Sequence, residues 1–79
     1  MHVTVHYFGV LAEGKHLDFE EVEVAAGTTL RALYERAFPP ERLPPPPPVL
    51  FVQDEDYVAG ETPVRDGAVI AFIPPLGGG

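Results

Sequence analysis

Proline sets the boundaries of everything this chain can form. Ten of the 79 residues are proline. They sit at Pro39-Pro40, in one run from Pro44 to Pro48, singly at Pro63, and at Pro74-Pro75. Proline has no backbone N–H to give to a helix or a sheet, and its ring clashes with a continuing helix. Regular structure therefore lies before Pro39 and between Pro48 and Pro74, with a tail beyond. The stretch from Glu41 to Pro48 reads as a stiff polyproline II connection rising about 3.1 Å per residue. A composition of 46% hydrophobic and 22% charged residues belongs to a folded chain rather than a disordered one. A domain of this size buries only about 60% of the surface its unfolded chain exposes, which leaves no room for a second domain or a deep catalytic cleft.

Cysteine is absent, which excludes disulfides, thiol catalysis and a cysteine-bound zinc. Five basic residues against twelve acidic ones give a net charge of −7. That balance argues against a nucleic-acid partner, whose phosphates demand Lys and Arg. The N-terminus has no basic leader and no signal-peptide core, and no apolar run approaches the ~20 residues of a membrane-spanning helix. The expectation is a cytoplasmic protein with no membrane partner.

Between the prolines the patterning changes with position. Val3, Val5 and Tyr7 alternate with Thr4, His6 and Phe8, the period of a half-buried strand. Gly9 to Gly14 reads as a loop or bend. A second strand follows from Leu17 to Val24, forming a hairpin with the first. Its apolar positions change parity at Glu20-Glu21, which predicts a bulge or break there. Thr28 or Thr29 offers an N-cap, and Leu30, Leu33, Tyr34 and Ala37 fall on one helical face. Pro39-Pro40 stops that helix at or before Phe38. Val49 to Val52 is continuously apolar, as in a strand covered on both faces. Gln53 to Asp56 is an acidic turn, and Tyr57-Val58 adds a short strand. Arg65-Asp66-Gly67 is a turn, and Ala68 to Ile73 forms the last strand, with Ile70 and Phe72 on one face. The order β-β-α-β-(β)-β gives an α+β domain, a mixed sheet of four to five strands with one main helix across one face. First and last strands can pair in parallel at its centre.

Few residues suggest chemistry. His2 and His6 share a strand face but lie roughly 13 Å apart along it, too far to bind one zinc, and His16 is in another turn. Asp54-Glu55-Asp56 lacks the spacing and the glycine of a calcium loop. No nucleophile triad, phosphate loop or dinucleotide fingerprint can be assembled, so no metal or cofactor is expected on the chain. Arg42-Leu43 before the prolines fits a basic PxxP ligand, although a stiff loop with no reader is the plainer account. The C-terminus is more informative. Pro74-Pro75 ends the last strand, Leu76 follows, and Gly77-Gly78-Gly79 closes the chain. Residues without a Cβ can thread a channel too narrow for side chains, and they present an unhindered carboxylate. A frayed end would not call for a rigid Pro-Pro immediately before the glycines. The layout is a domain over 1–75 and a flexible tail over 76–79.

These residues resemble a known family. Tyr7-Phe8 on the first strand, Gly27-Thr28-Thr29-Leu30 at the helix entry, and above all Asp66-Gly67-Ala68-Val69-Ile70-Ala71-Phe72-Ile73-Pro74-Pro75 before terminal glycines are similar to the small subunits of molybdopterin synthase. Those are ubiquitin-like sulfur carriers with the β-grasp fold, and the likeness runs nearly the whole chain. Three features depart from the pattern: Gln53 where relatives carry Asn, the five-proline run, and a third terminal glycine.

The resemblance implies a definite chemistry. An E1-like adenylyltransferase using ATP and magnesium adenylates the Gly79 carboxylate. A desulfurase or rhodanese supplies sulfur that displaces AMP, leaving a thiocarboxylate. Gly77 and Gly78 thread the tail into the large synthase subunit, and sulfur passes to cyclic pyranopterin monophosphate. The carrier is then no enzyme alone. Partner contacts are expected on the sheet face opposite the helix, at Phe8, Tyr57 and Ile73, and along Pro74, Pro75 and Leu76. Two alternatives stay open. One is a sulfur carrier for thiamine or tRNA thiolation, or a protein modifier; the other is a non-catalytic β-grasp binding module.

Overall fold

The alternation in the first segment places Val3, Val5 and Tyr7 under one side of strand β1 (His2–Tyr7), where all three are buried. The computed structural model describes residues 1–39 and 49–74. The run Pro44 to Pro48 and residues Pro75, Leu76, Gly77, Gly78 and Gly79 lie outside the described residues. After β1 come α1 (Val10–Lys15), β2 (Phe19–Glu23), α2 (Leu30–Ala37), β3 (Leu50–Gln53), β4 (Asp56–Val58) and β5 (Val69–Ile73). The five strands form one sheet in the order β2-β1-β5-β3-β4. β1 and β5 are parallel, with Val5 opposite Ile70 and Tyr7 opposite Phe72; every other pairing is antiparallel.

Helix α2 forms where the threonines allow it. Thr29 is extended and its hydroxyl accepts the Ala32 N–H at 3.1 Å, while the Thr28 hydroxyl donates to the Ala25 carbonyl. The helix ends at Ala37, before the prolines, with Phe38 already out of helical geometry. Leu30, Leu33, Tyr34 and Phe38 face Val3, Val5, Tyr7, Phe51, Ile70 and Phe72. Aromatic rings dominate this layer: Tyr34 meets Phe72 edge-on at 5.2 Å between centroids, and Phe51 meets Phe72 at 5.8 Å and 89°. Such edge-to-face pairs stabilise beyond their buried area. No helix among the described residues is long and apolar enough to cross a membrane.

Three local expectations are corrected. Gly9 to Gly14 is not a loop: Gly9 precedes α1, which begins at Val10 and runs on to Lys15. Gly9 turns the chain at φ 54°, a conformation that Cβ-bearing residues avoid. The Phe8 carbonyl then accepts from Leu11, and buried Leu11 anchors the turn to the core. His16 closes it in the left-handed region, donating its N–H to the Ala12 and Glu13 carbonyls. Two glycines in six residues concealed that helix. Second, β2 carries no bulge. It pairs continuously from His2↔Glu23 to His6↔Phe19, so Glu20 and Val22 face inward and Phe19 stands on the opposite face. Third, β3 is covered on one face only: Phe51 and Gln53 are buried, whereas Leu50 is 51% exposed, because nothing among the described residues covers the second face.

Gln53 resolves the turn left open by its departure from Asn. It is 2% exposed, its Nε2 donates to the Pro63 carbonyl at 3.3 Å, and its Oε1 accepts the Arg65 N–H at 2.9 Å. Asp54 and Glu55 make the two-residue β3–β4 turn with φ 50° and 74°, the primed geometry that matches strand twist. Asp54 holds it, accepting the Val69 N–H through Oδ1 and the Arg65 guanidinium through Oδ2, both at 2.9 Å.

On the inner side of the β1–β2 pair, the Tyr7 hydroxyl donates to the Glu20 carboxylate. Burial, then this bond, pushes the Tyr7 hydroxyl far above its ordinary 10.0. The same bond, with Lys15 adding to it, holds Glu20 below its ordinary 4.5. Glu20 therefore stabilises the fold above that ordinary value and loses the contribution as pH falls through its lowered one. Tyr7 contributes below 10.0 and loses it as pH rises towards its raised value. Chemical denaturation across pH is expected to give a shallower alkaline fall in Tyr7→Phe and a shallower acid fall in Glu20→Gln. Gln53→Leu strands one buried carbonyl and one buried N–H and is expected to cost about 2 kcal/mol, read from the urea midpoint.

Candidate docking face

The face of the sheet away from α2 is open, and strand register fixes what stands on it. One row crosses all five strands: Phe19, His6, Ala71, Val52 and Tyr57 are successive partners. The Phe19 ring lies 5.6 Å from His6, tilted 30°. The next row carries Ile73 opposite Leu50, and Phe8 continues β1 with the same outward parity. Of the expected contact residues, Tyr57 is 71% and Phe8 47% exposed, while Ile73 and Pro74 are half-buried. Pro74 packs beside the β1–α1 turn: a Cβ at Gly9 would lie 3.4 Å from the Pro74 ring. The last described residue of the exit path is thus held against the residue that follows Phe8. Pro75, Leu76, Gly77, Gly78 and Gly79 lie beyond the described residues.

The face is graded from one end to the other. Phe8, Phe19, Leu50 and Tyr57 are exposed large apolar residues in the rows towards the end where β5 finishes. Val10 in α1 and Leu17 before β2 are exposed as well, and Val69, 48% exposed, stands nearer the other end, in the row of Thr4 and Glu21. Glu21, Glu23, the Asp54-Glu55 turn and Asp66 occupy the opposite end, where His2 sits 4.0 Å from Glu23. Exposed apolar side chains gathered on one face of a small domain are the kind of surface that protein contacts use. Sequence reasoning missed Val10, Leu17, Phe19 and Leu50. The signal for Phe19 was available: in an unbroken strand, inward Val22 and Val24 require Phe19 to point outward.

The described residues contain no group of three or more His, Cys, Asp or Glu able to hold a metal ion. A groove of about 180 Å³ lies on the other side of the sheet, beneath β2, lined by Tyr7, Lys15, Glu20, Val22, Leu33, Arg36 and Ala37. It is separate from the exit of the chain.

Comparison with known proteins agrees with this geometry. The chain matches a molybdopterin converting factor, subunit 1, protein from Pyrococcus furiosus at a TM-score of 0.81 and 24% identity, covering 96% of this chain and 99% of that one. Small archaeal modifier protein 1 of Haloferax volcanii matches at 0.77 and 18% identity, covering 95% and 98%. A protein–protein complex of subunits 1 and 2 of the molybdopterin-converting factor from Helicobacter pylori contains a chain that matches at 0.61 and 22% identity, with both chains covered fully. At these identities the likeness establishes the β-grasp fold. No curated protein matches the sequence. The ThiS family model matches residues 5–79, and the chain belongs to the ThiS family.

Proposed function

We propose that this protein is the sulfur-donating small subunit of a molybdopterin synthase and acts in the cytoplasm. The observation that carries the reading is the position of the apolar end of the open face, at the end of β5 from which the chain runs on to Gly79. A partner covering Phe8, Phe19, Leu50 and Tyr57 receives the tail at the same time. Family membership and the fold shared with a subunit 1 that forms a complex with a subunit 2 support the same reading.

The reaction sequence needs nothing from the domain but its end. An E1-like enzyme holds ATP and magnesium; the Gly79 carboxylate oxygen attacks the α-phosphorus, and pyrophosphate leaves. A persulfide on a desulfurase or rhodanese attacks the acyl carbon through its outer sulfur and AMP leaves, giving an acyl disulfide. A thiol then attacks the donor's own sulfur, the donor is left as a disulfide, and the thiocarboxylate departs with the electron pair. The large synthase subunit then takes the tail, and the terminal sulfur bonds to a side-chain carbon of cyclic pyranopterin monophosphate as an oxygen substituent leaves that carbon. Water cleaves the acyl carbon–sulfur bond, returning the Gly79 carboxylate. Gly77 and Gly78 lack side chains, so the tail fits a narrow passage. The second reading, a carrier for thiamine or tRNA thiolation or a protein modifier, uses the same activated end and is favoured by the fold shared with the archaeal modifier. The two separate on the partner: co-purification with a large synthase subunit selects the first. A binding module with an inert tail is excluded if removing Gly79 abolishes sulfur transfer to the pterin, and is selected if transfer persists.

Phe8→Asp and Phe19→Asp place a charge where the partner's apolar surface must dry. Each is expected to weaken binding to the large subunit about thirtyfold, the cost of losing a well-packed aromatic anchor. Both variants should keep cooperative unfolding. Loss of cooperativity in either would mean that the residue faces the core; unchanged affinity in both would remove the open face from the interface.

A further inference from the structure

The groove beneath β2 holds the chain's one lysine. Lys15 Nζ lies 3.4 Å from Glu20 Oε2 and 5.7 Å from the centre of the Tyr7 ring, and its side chain is 26% exposed. Glu20 is itself fixed from below by the Tyr7 hydroxyl. Arg36, Val22, Leu33 and Ala37 form the remaining wall. The backbone of Lys15 is also tied, since it is the last residue of α1 and precedes the left-handed His16. The amine at Met1 is engaged as well, donating to the Val24 carbonyl at 2.9 Å in a partly buried position. Both primary amines are therefore occupied.

That arrangement has a chemical consequence, resting on the reading that the chain's end becomes an acyl adenylate. Such a group reacts with amines: the nitrogen lone pair attacks the acyl carbon, a C–N bond forms, the C–O bond to phosphate breaks, AMP leaves with the electron pair, and the nitrogen gives up its proton to water. Every copy carries both an activated end and a lysine, so an available Lys15 would join copies into isopeptide-linked chains. The geometry points to Glu20 and the Tyr7 ring as a cage that withholds Lys15 from acyl transfer and so keeps the activated copies single. The lysine nitrogen must leave both groups before it meets an acyl carbon. An ion pair and a cation over a ring are each modest interactions, so the cage slows the reaction about fivefold.

The test uses the whole chain and a small acylating reagent, the N-hydroxysuccinimide ester of acetic acid, with the rate at Lys15 followed by peptide mass mapping. Glu20→Gln should react about fivefold faster than the unaltered protein. Glu21→Gln, one residue along on the opposite face, should match the unaltered protein. Tyr7→Phe keeps the ring but frees Glu20 from the hydroxyl that fixes it, so its rate should rise by less than that of Glu20→Gln. An N-acetylated peptide spanning Glu13 to Leu17 reports the rate of the free lysine without any variant having to fold. Equal rates in peptide and protein, or acceleration in Tyr7→Phe equal to that in Glu20→Gln, overturn the cage. With the activating enzyme and ATP, Glu20→Gln should form Lys15-linked dimers faster than the unaltered chain. Failure to form any adenylate counts against the proposed carrier function, while the small-reagent rates decide the cage independently.

Discussion

The parallel pairing of β1 with β5 is the contact on which the rest of the structure depends. It joins the first strand to the last across most of the chain, Val5 beside Ile70 and Tyr7 beside Phe72, and these are among the most deeply buried residues. A parallel neighbour cannot be reached by a tight turn, so the intervening chain must cross the sheet. Helix α2 lies in that crossover and covers one face. The hairpin partners β2 and β3–β4 then extend the sheet outward from this pair. The pairing also has a directional result: because β5 runs the same way as β1, the chain leaves the sheet beside Phe8 and Gly9.

Burial is one-sided, and that asymmetry separates stability from recognition. Phe51, Phe72, Tyr34 and Phe38 pack ring against ring under the sheet, which gives a domain of this size a substantial core without a disulfide. The other face carries Phe8, Phe19, Leu50, Tyr57 and Val69 exposed, with nothing over them among the described residues. A chain that stabilises itself from one side can present the other to a partner with little structural change. The acidic residues of that face gather at the end away from the exit of the chain, so its two ends differ in charge.

Much of this was legible in the sequence. Alternation in β1 and β5 identified inner and outer faces, the spacing of Leu30, Leu33 and Tyr34 identified the helix face, and paired prolines marked where α2 and β5 end. What was missed has physical causes. Helix α1 depends on left-handed backbone at Gly9 and His16 and on one buried leucine, signals too local for periodicity to report. The apparent change of parity in β2 arose from treating Leu17 and Phe19 as core residues, when both belong to the exposed end of the sheet. Continuous apolar residues in β3 resembled a strand covered twice, because an exposed apolar face and an interior give the same pattern along the chain. The role of Gln53 rests on backbone groups of Pro63 and Arg65, which no spacing rule brings together. The chemistry of the tail was read from Pro74-Pro75 and the glycines through family resemblance, and it concerns residues beyond those the structure describes.

The central claim is that the terminal carboxylate of Gly79 becomes a thiocarboxylate while the domain serves as its handle. Intact mass of the protein, isolated from its cells or incubated with the activating enzyme, ATP and a sulfur source, tests it most directly. The account predicts a fraction in which one oxygen is replaced by sulfur, mapped to the last residue and absent when Gly79 is deleted. Persistent absence of that species, with adenylation by the activating enzyme demonstrated, would contradict it.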